Sequence, residues 1–274
     1  MDGILIIDKP AGMTSHDVIN KLRKKYKQKK FGHTGTLDPQ ATGVLVVLCG
    51  KSCKALQFLA DTDKEYIGGI EFGKSTSTDD IWGEIEDTKE FNENFDIDQE
   101  LQRFVGKQHQ LVPKTSNKKV NGMKLMEYQK KGLEVPKVYS DIEIYSIENL
   151  GDFKFKVSCS SGTYVRSICR DLALQTNNLG CMNYLRRTKV GRFSVEQAYT
   201  LEDLDTTTPI LYPTKEVLDH FEMIEYPKIE DIYQGKRIRL DTTKDMVCIT
   251  DRGEPCAIYE RENGQTFKSK RGLW

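Results

Sequence analysis

One carboxylate in this chain sits in a setting suited to holding a group still. Asp38 lies within Gly32-His33-Thr34-Gly35-Thr36-Leu37-Asp38-Pro39-Gln40-Ala41-Thr42-Gly43, just before the apolar run Val44-Leu45-Val46-Val47-Leu48. Gly32 and Gly35 open backbone angles that other residues resist, and Pro39 fixes φ directly after the acid. Ordering such a loop costs conformational entropy, so a rigidly held group is expected in it. An aspartate held there can act as a nucleophile or a general base. Taken alone, an acid between glycine and proline is most often a turn or cap residue. The decision rests on what accompanies it.

Three further segments carry suitable groups. The opening strand from Gly3 leads into Lys9-Pro10-Ala11-Gly12-Met13-Thr14-Ser15. Asp63-Lys64-Glu65-Tyr66 places a phenol at the head of an apolar stretch. Ser161-Gly162-Thr163-Tyr164-Val165-Arg166-Ser167, followed by Asp171-Leu172, supplies an arginine, which keeps its charge and can bond a carboxylate through two donors. Singly, a strand tyrosine reads as core and a helical arginine as a surface ion pair. Together, and continuing with Leu185-Arg186-Arg187-Thr188, the four segments resemble in order the motifs of the pseudouridine synthases, specifically the TruB family of tRNA pseudouridine-55 synthases. The pattern around that family's aspartate is close to G-H-x-G-T/A-L-D-P-x-A-x-G, and every fixed position is present.

The resemblance implies an α+β pseudouridine synthase fold, a mixed and mostly antiparallel sheet flanked by helices. It makes Asp38 the acid that acts at the ribose or base, with attack at C1′, attack on the base and 2′-proton removal all open, the last (glycal) route preferred. Arg166 pairs with Asp38, and Tyr66 stacks on the uracil near C5. Tyr164 packs against the same pocket, and Gly35, Thr36 and Leu185 complete the binding set. A uridine stacked in a folded RNA must be flipped out, at a cost of a few kcal/mol; His33 fills the space it leaves. Lys9 and Pro10 support the loop, with Lys9 touching phosphate. No redox step, energy input, metal or cofactor is required. One segment departs from the bacterial pattern P-P-x-Y-S-A-x-K-x-x-G: Val112-Pro113-Lys114-Thr115-Ser116-Asn117-Lys118-Lys119-Val120-Asn121-Gly122 has Thr115 and Asn117 in place of tyrosine and alanine.

The implied partner is the T-stem-loop of tRNA, bound by a monomer with no obligate protein partner and no membrane. Net charge is zero, which looks wrong for such a ligand until the charges are mapped. Residues 21–30 carry seven positive charges and no negative ones, whereas residues 79–100 carry ten acids against the single Lys89. Segments 114–137 and 186–192 are basic again. Phosphate affinity follows such patches rather than the sum. The seven cysteines are scattered, and several fall in apolar runs, which fits reduced thiols in a cytoplasmic protein. Cys49 and Cys53 lack the second pair or histidine of a zinc site. No apolar run approaches the roughly 20 residues that span a bilayer, and no basic leader with an apolar core is read at the start.

The elements that must position these groups can be read in part. Residues 3–8 and 44–48 read as buried strands, 66–72 as a strand whose glycines suggest a bulge or close contact. Thr14-x-x-Asp17 has capping-box form, with Val18, Ile19 and Leu22 at helical spacing after it. Helices are expected at Cys53–Ala60, Asp98–Phe104, near 125–131 and at Tyr164–Gln175. Residues 74–96 read as an exposed loop with a hairpin, 113–124 as a flexible basic loop, and 138–159 as two antiparallel strands around Gly151-Asp152. Prolines at 209, 213 and 227 suggest a boundary, giving a catalytic domain over 1–228 and a small β-rich, PUA-like RNA-binding domain over 229–274.

Two other readings compete: a guide-RNA-directed synthase of a ribonucleoprotein, and a tRNA-folding chaperone without turnover. Compact size weighs against the first, and the joint presence of Asp38, Tyr66 and Arg166 against the second. An aspartyl phosphotransferase lacks a second acid at D-x-D spacing.

Overall fold

The computed structural model describes residues 1–59 and 62–274. β1 (Gly3–Lys9) is buried except at Asp8. It leads to α1 (Ser15–Tyr26), capped by Thr14, whose hydroxyl accepts from the Asp17 amide at 3.0 Å while Asp17 Oδ2 accepts from the Thr14 amide at 2.9 Å. Ser15, Val18, Ile19 and Leu22 form the buried stripe, leaving Lys21, Lys24 and Lys25 outside. β2 (Phe31–Thr34) and β3 (Thr42–Cys49) follow, then a 3₁₀ segment, Gly50–Phe58. That segment takes the place of the helix expected from Cys53, whose expected end at Ala60 lies outside the described residues.

Next come β4 (Lys64–Phe72), the hairpin of β5 (Lys74–Thr76) and β6 (Ile85–Thr88), α2 (Ile97–Gln102) and β7 (Gly106–Leu111). The basic loop holds a short ladder, β8 (Lys119–Val120) and β9 (Met123–Lys124), before α3 (Leu125–Lys130). β10 (Tyr139–Gly151), β11 (Lys154–Cys159), α4 (Val165–Gln175), β12 (Gly180–Val190) and β13 (Phe193–Ser194) complete this stretch. Beyond α5 (Asp203–Thr206) lie β14 (Glu222–Glu225), α6 (Ile229–Tyr233), β15 (Ile238–Arg239), β16 (Met246–Asp251), β17 (Glu254–Asn263) and β18 (Thr266–Gly272).

The chain divides into two compact units, neither continuous in sequence. The first takes Met1–Pro39, Leu45–Ala60 and Gln197–Trp274. Here β1 lies beside β3, and β2 pairs antiparallel with β3, setting His33 opposite Val47. α1 covers them through Val18, Ile19 and Leu22, which meet Leu5, Ile7, Leu45 and Val47 in one core. The same unit holds a five-stranded sheet in the order β14-β16-β17-β18-β15, with its own core of Ile232, Ile249, Ala257, Tyr259 and Phe267 among others. β14 runs parallel to β16, so that sheet recruits a strand from before residue 229.

The second unit takes Gln40–Val44 and Asp61–Glu196. Its sheet runs β12-β4-β11-β10-β7, every neighbouring pair antiparallel. The first residues of β3 join β12 in parallel, Thr42 opposite Arg186 and Gly43 opposite Arg187. A Cβ on Gly43 would stand 2.1 Å from the Arg187 carbonyl oxygen, and its φ of +102° is one that side chains resist, so only glycine fits. Gly68 plays a different part: a Cβ there would meet Val165 Cγ1 at 2.8 Å, so the bare backbone lets the start of α4 settle on β4. That is the close contact the glycines of this strand suggested.

β7 and β12 were not expected from the sequence. β12 carries Asn183, Arg186, Arg187, Thr188 and Lys189, and that polarity hides a strand built partly into the core. Arg187 is only 1% exposed and its Nε donates to Val44 O at 2.7 Å. The basic segment 186–192 is therefore not wholly a surface run. All seven cysteines are free, six of them buried and Cys53 half-buried. Among the described residues no helix is long and apolar enough to cross a membrane.

Candidate active site

In the first unit, Asp38 is half-buried on a stretch without regular structure, and its neighbours are pinned on both sides. Leu37, 2% exposed, donates its amide to Ser15 Oγ at 3.0 Å. The Pro39 carbonyl oxygen accepts from the Gly12 amide at 3.0 Å and from Lys9 Nζ at 3.0 Å. Lys9 Nζ also donates to Pro10 O at 2.9 Å and Met13 O at 2.6 Å. A buried ammonium with three carbonyl acceptors has a partner for each proton, which is what makes burying it tolerable. The first motif, Lys9 to Ser15, thus grips the second on either side of its acid.

Lys9 has no exposed surface, so it supports the loop, and the expected contact with phosphate is corrected. Pro10 contributes an acceptor for that ammonium through its carbonyl. His33 lies on β2 rather than in a glycine-rich loop, half-buried opposite Val47. Gly35, with φ +66°, follows β2 at once and turns the chain toward Leu37; it and Thr36 are exposed.

In the second unit, Arg166 occupies the first turn of α4 and is 6% exposed. Its Nη1 donates to Thr78 O at 2.9 Å and to Thr115 Oγ1 at 2.8 Å, with Asp80 Oδ2 at 3.8 Å. Asp80 is held in turn by the Thr78 hydroxyl at 2.7 Å and the Trp82 amide at 3.2 Å, both donating to Oδ1. One turn further along α4, Arg170 Nη1 reaches Asp79 Oδ2 at 3.1 Å, its Nε reaches Asp171 Oδ1 at 2.8 Å, and its Nη2 donates to Leu111 O at 3.0 Å. Burial raises the Asp79 carboxyl above its ordinary range, against the opposing pull of Arg170 and Arg166.

The helix start is fixed from β7. Gln110, 4% exposed, donates Nε2 to Tyr164 O at 3.1 Å and accepts from the Tyr164 amide through Oε1 at 2.9 Å. Ser167 Oγ adds a bond to Leu111 O at 2.8 Å. Tyr164 itself is the residue before α4, with extended backbone. Tyr66, 7% exposed, stands on β4 opposite Val157 of β11 and Arg187 of β12. Leu185 lies opposite Gly68, two residues on from Tyr66, and so shares its face of the sheet.

Sequence reading missed Asp80, Thr78 and Gln110, and took Thr115 only as a lost aromatic. Asp79 and Asp80 belong to the stretch 74–96 read as an exposed loop, and only tertiary pairing separates them from the six other acids there. Gln110 precedes the divergent loop in a stretch that showed no strand signal.

Solved structures and curated sequences place the chain. It matches the structure of an H/ACA RNP bound to a substrate RNA containing 2'-deoxyuridine with a TM-score of 0.71 and 22% identity, over 99% of this chain and 85% of that one. A Cbf5-Nop10-Gar1 complex gives a TM-score of 0.74 at 22% identity with the same coverage. At that identity the likeness is one of fold, the α+β fold of pseudouridine synthases. A model described as "TruB family pseudouridylate synthase (N terminal domain)" matches residues 23–165, and "tRNA pseudouridylate synthase B C-terminal domain" matches 166–221. Proteins named tRNA pseudouridine synthase B are 38% identical in Alkaliphilus oremlandii, over 96% of this chain and 91% of that protein, and 35% in Oceanobacillus iheyensis, over 95% and 93%. The Halalkalibacterium halodurans protein of that name is 42% identical over 75% of this chain and 71% of its own. The chain belongs to the TruB family of pseudouridylate synthases.

Proposed function

We propose that this chain isomerises the T-loop uridine of tRNA, position 55, to pseudouridine. The observation that carries the reading is the double grip on Asp38: Ser15 holds Leu37, while Gly12 and Lys9 hold Pro39. A carboxylate fixed through its own backbone is pre-organised to meet a ribose without reordering at the moment of reaction.

In this reading Asp38 acts at the sugar or base while the bond from N1 to C1′ breaks, and Arg166 is its counter-charge. Tyr66 supports the detached ring near C5, with Leu185 on the same face and Tyr164 beside it. C5 then joins C1′, and the proton lost from C5 is returned to the released N1, so the product is an isomer and nothing else is consumed. His33 takes the place of the flipped base, with Gly35 and Thr36 presenting backbone beside it. No cofactor enters. The relatives' shared name and their coverage of nearly the whole chain favour a free tRNA substrate over a guided ribonucleoprotein.

The exposed lysines of α1 and the turn after it, together with the loop at 113–124, would meet phosphate. Residues 229–274, with β14, form the RNA-binding appendage, and the protein works as a cytoplasmic monomer. The test is incubation with an unmodified T-stem-loop RNA, with pseudouridine located by chemical labelling and sequencing. One modified site in the T loop is expected; an unmodified loop at enzyme excess overturns the reading.

A further inference from the structure

We propose that Thr115 is a positioning residue for Arg166, through which the basic loop at 113–124 sets the guanidinium. The proposal rests on the functional reading above, in which Arg166 serves the reacting acid. Nη1 carries two protons, and both have acceptors: Thr78 O at 2.9 Å and Thr115 Oγ1 at 2.8 Å. Two bonds from one nitrogen restrict the rotation of a planar group, so Thr115 supplies one of the constraints on where the remaining edge points. Arg166 is 6% exposed, and water does not readily replace an acceptor lost in so dry a place.

The loop is built to transmit this constraint. Val112 donates its amide to Val138 O at 2.9 Å, and Ser116 O accepts from the Met126 amide at 3.2 Å, so the backbone is anchored on either side of Thr115. Val112 and Ser116 are buried, whereas Lys114, Lys118 and Lys119 face solvent. A phosphate engaged by those lysines therefore bears on the same short segment that holds the guanidinium. The family's tyrosine could not put a hydroxyl at this distance from the same backbone position. The threonine does, and the departure becomes a local solution rather than a loss.

The test compares Thr115→Val, which keeps the branched shape and removes the acceptor, with Thr115→Ser, which keeps the acceptor, and Thr115→Ala as a second acceptor-free variant. Single-turnover conversion of the T-stem-loop RNA at saturating enzyme is measured beside RNA affinity. Both acceptor-free variants should be slowed about tenfold or more, as expected for a lost bond to a charged donor. Their Kd should stay within about twofold of wild type, and Thr115→Ser should retain most of the rate. Wild-type rates in Thr115→Val or Thr115→Ala, equal slowing in Thr115→Ser, or an effect on Kd alone overturns the proposal. Should Thr115→Val not fold, the contrast of Thr115→Ala with Thr115→Ser decides. A wild-type protein that makes no pseudouridine overturns the functional reading and this proposal with it, whereas an active wild type with unaffected variants overturns this proposal alone.

Discussion

Lys9 Nζ stands 3.0 Å from the Pro39 carbonyl oxygen, joining two motifs separated by thirty residues of sequence at the peptide that follows Asp38. The ammonium is a strut that ties together three backbone carbonyls, those of Pro10, Met13 and Pro39.

Replacing Lys9 with Met keeps the volume and removes the donors. Losing the three bonds that a buried charged donor makes should lower unfolding stability by about 2–4 kcal/mol. Activity should fall further than stability explains, because the Asp38 loop loses an anchor. A denaturant midpoint equal to wild type would sink the strut.

Asp38→Asn preserves size and removes the charge and the base. Product formation should vanish while tRNA affinity stays within about tenfold, or ~1.4 kcal/mol. Turnover at a tenth of wild type would assign the chemistry elsewhere.

Lys24, Lys25, Lys27, Lys29 and Lys30 are exposed, on α1 and the turn after it. Converting them to Gln should flatten the dependence of tRNA binding on salt, because fewer counterions are released. An unchanged slope of log K against log salt would put the RNA on another face. Lys25 also pairs with Asp205 at 2.5 Å, so a control with Lys25 retained separates the two effects.

Alkali should weaken the fold through its thiols. Burial pushes Cys49 and Cys248 up to about 12 and Cys159 and Cys181 up to about 11, from an ordinary 9.0. The unfolded chain therefore releases these protons first as pH rises. Stability is whole below about pH 9 and drains away toward pH 11–12. A urea midpoint that holds or climbs between about pH 8 and about pH 10.5 would contradict this. Native-state thiol labelling at the lower pH should begin at Cys53.

Much of the architecture was legible where one kind of signal dominated. The apolar run of β1, the reciprocal caps of Thr14 and Asp17, and the alternation of β10 and β11 each identify an element from neighbours alone. β7 and β12 escaped because their partners supply what their own sequences lack. Arg187 reads as surface until Val44 offers its carbonyl, and Gln110 reads as a polar loop residue until it clasps Tyr164. Asp38 was legible through its glycines, its proline and the ordered motifs around it. The grip of Ser15 on Leu37 was not, because nothing in a serine fifteen residues into a chain announces a partner twenty-two residues on.

A buried ammonium also offers a gauge. Amine-selective acylation applied to the native protein should mark the lysines of α1 and pass over Lys9, whose nitrogen has no path to reagent. Its labelling rate then reports how often the Asp38 segment lifts from its seat, so one mass-spectrometric peptide follows the breathing of that segment without any RNA present.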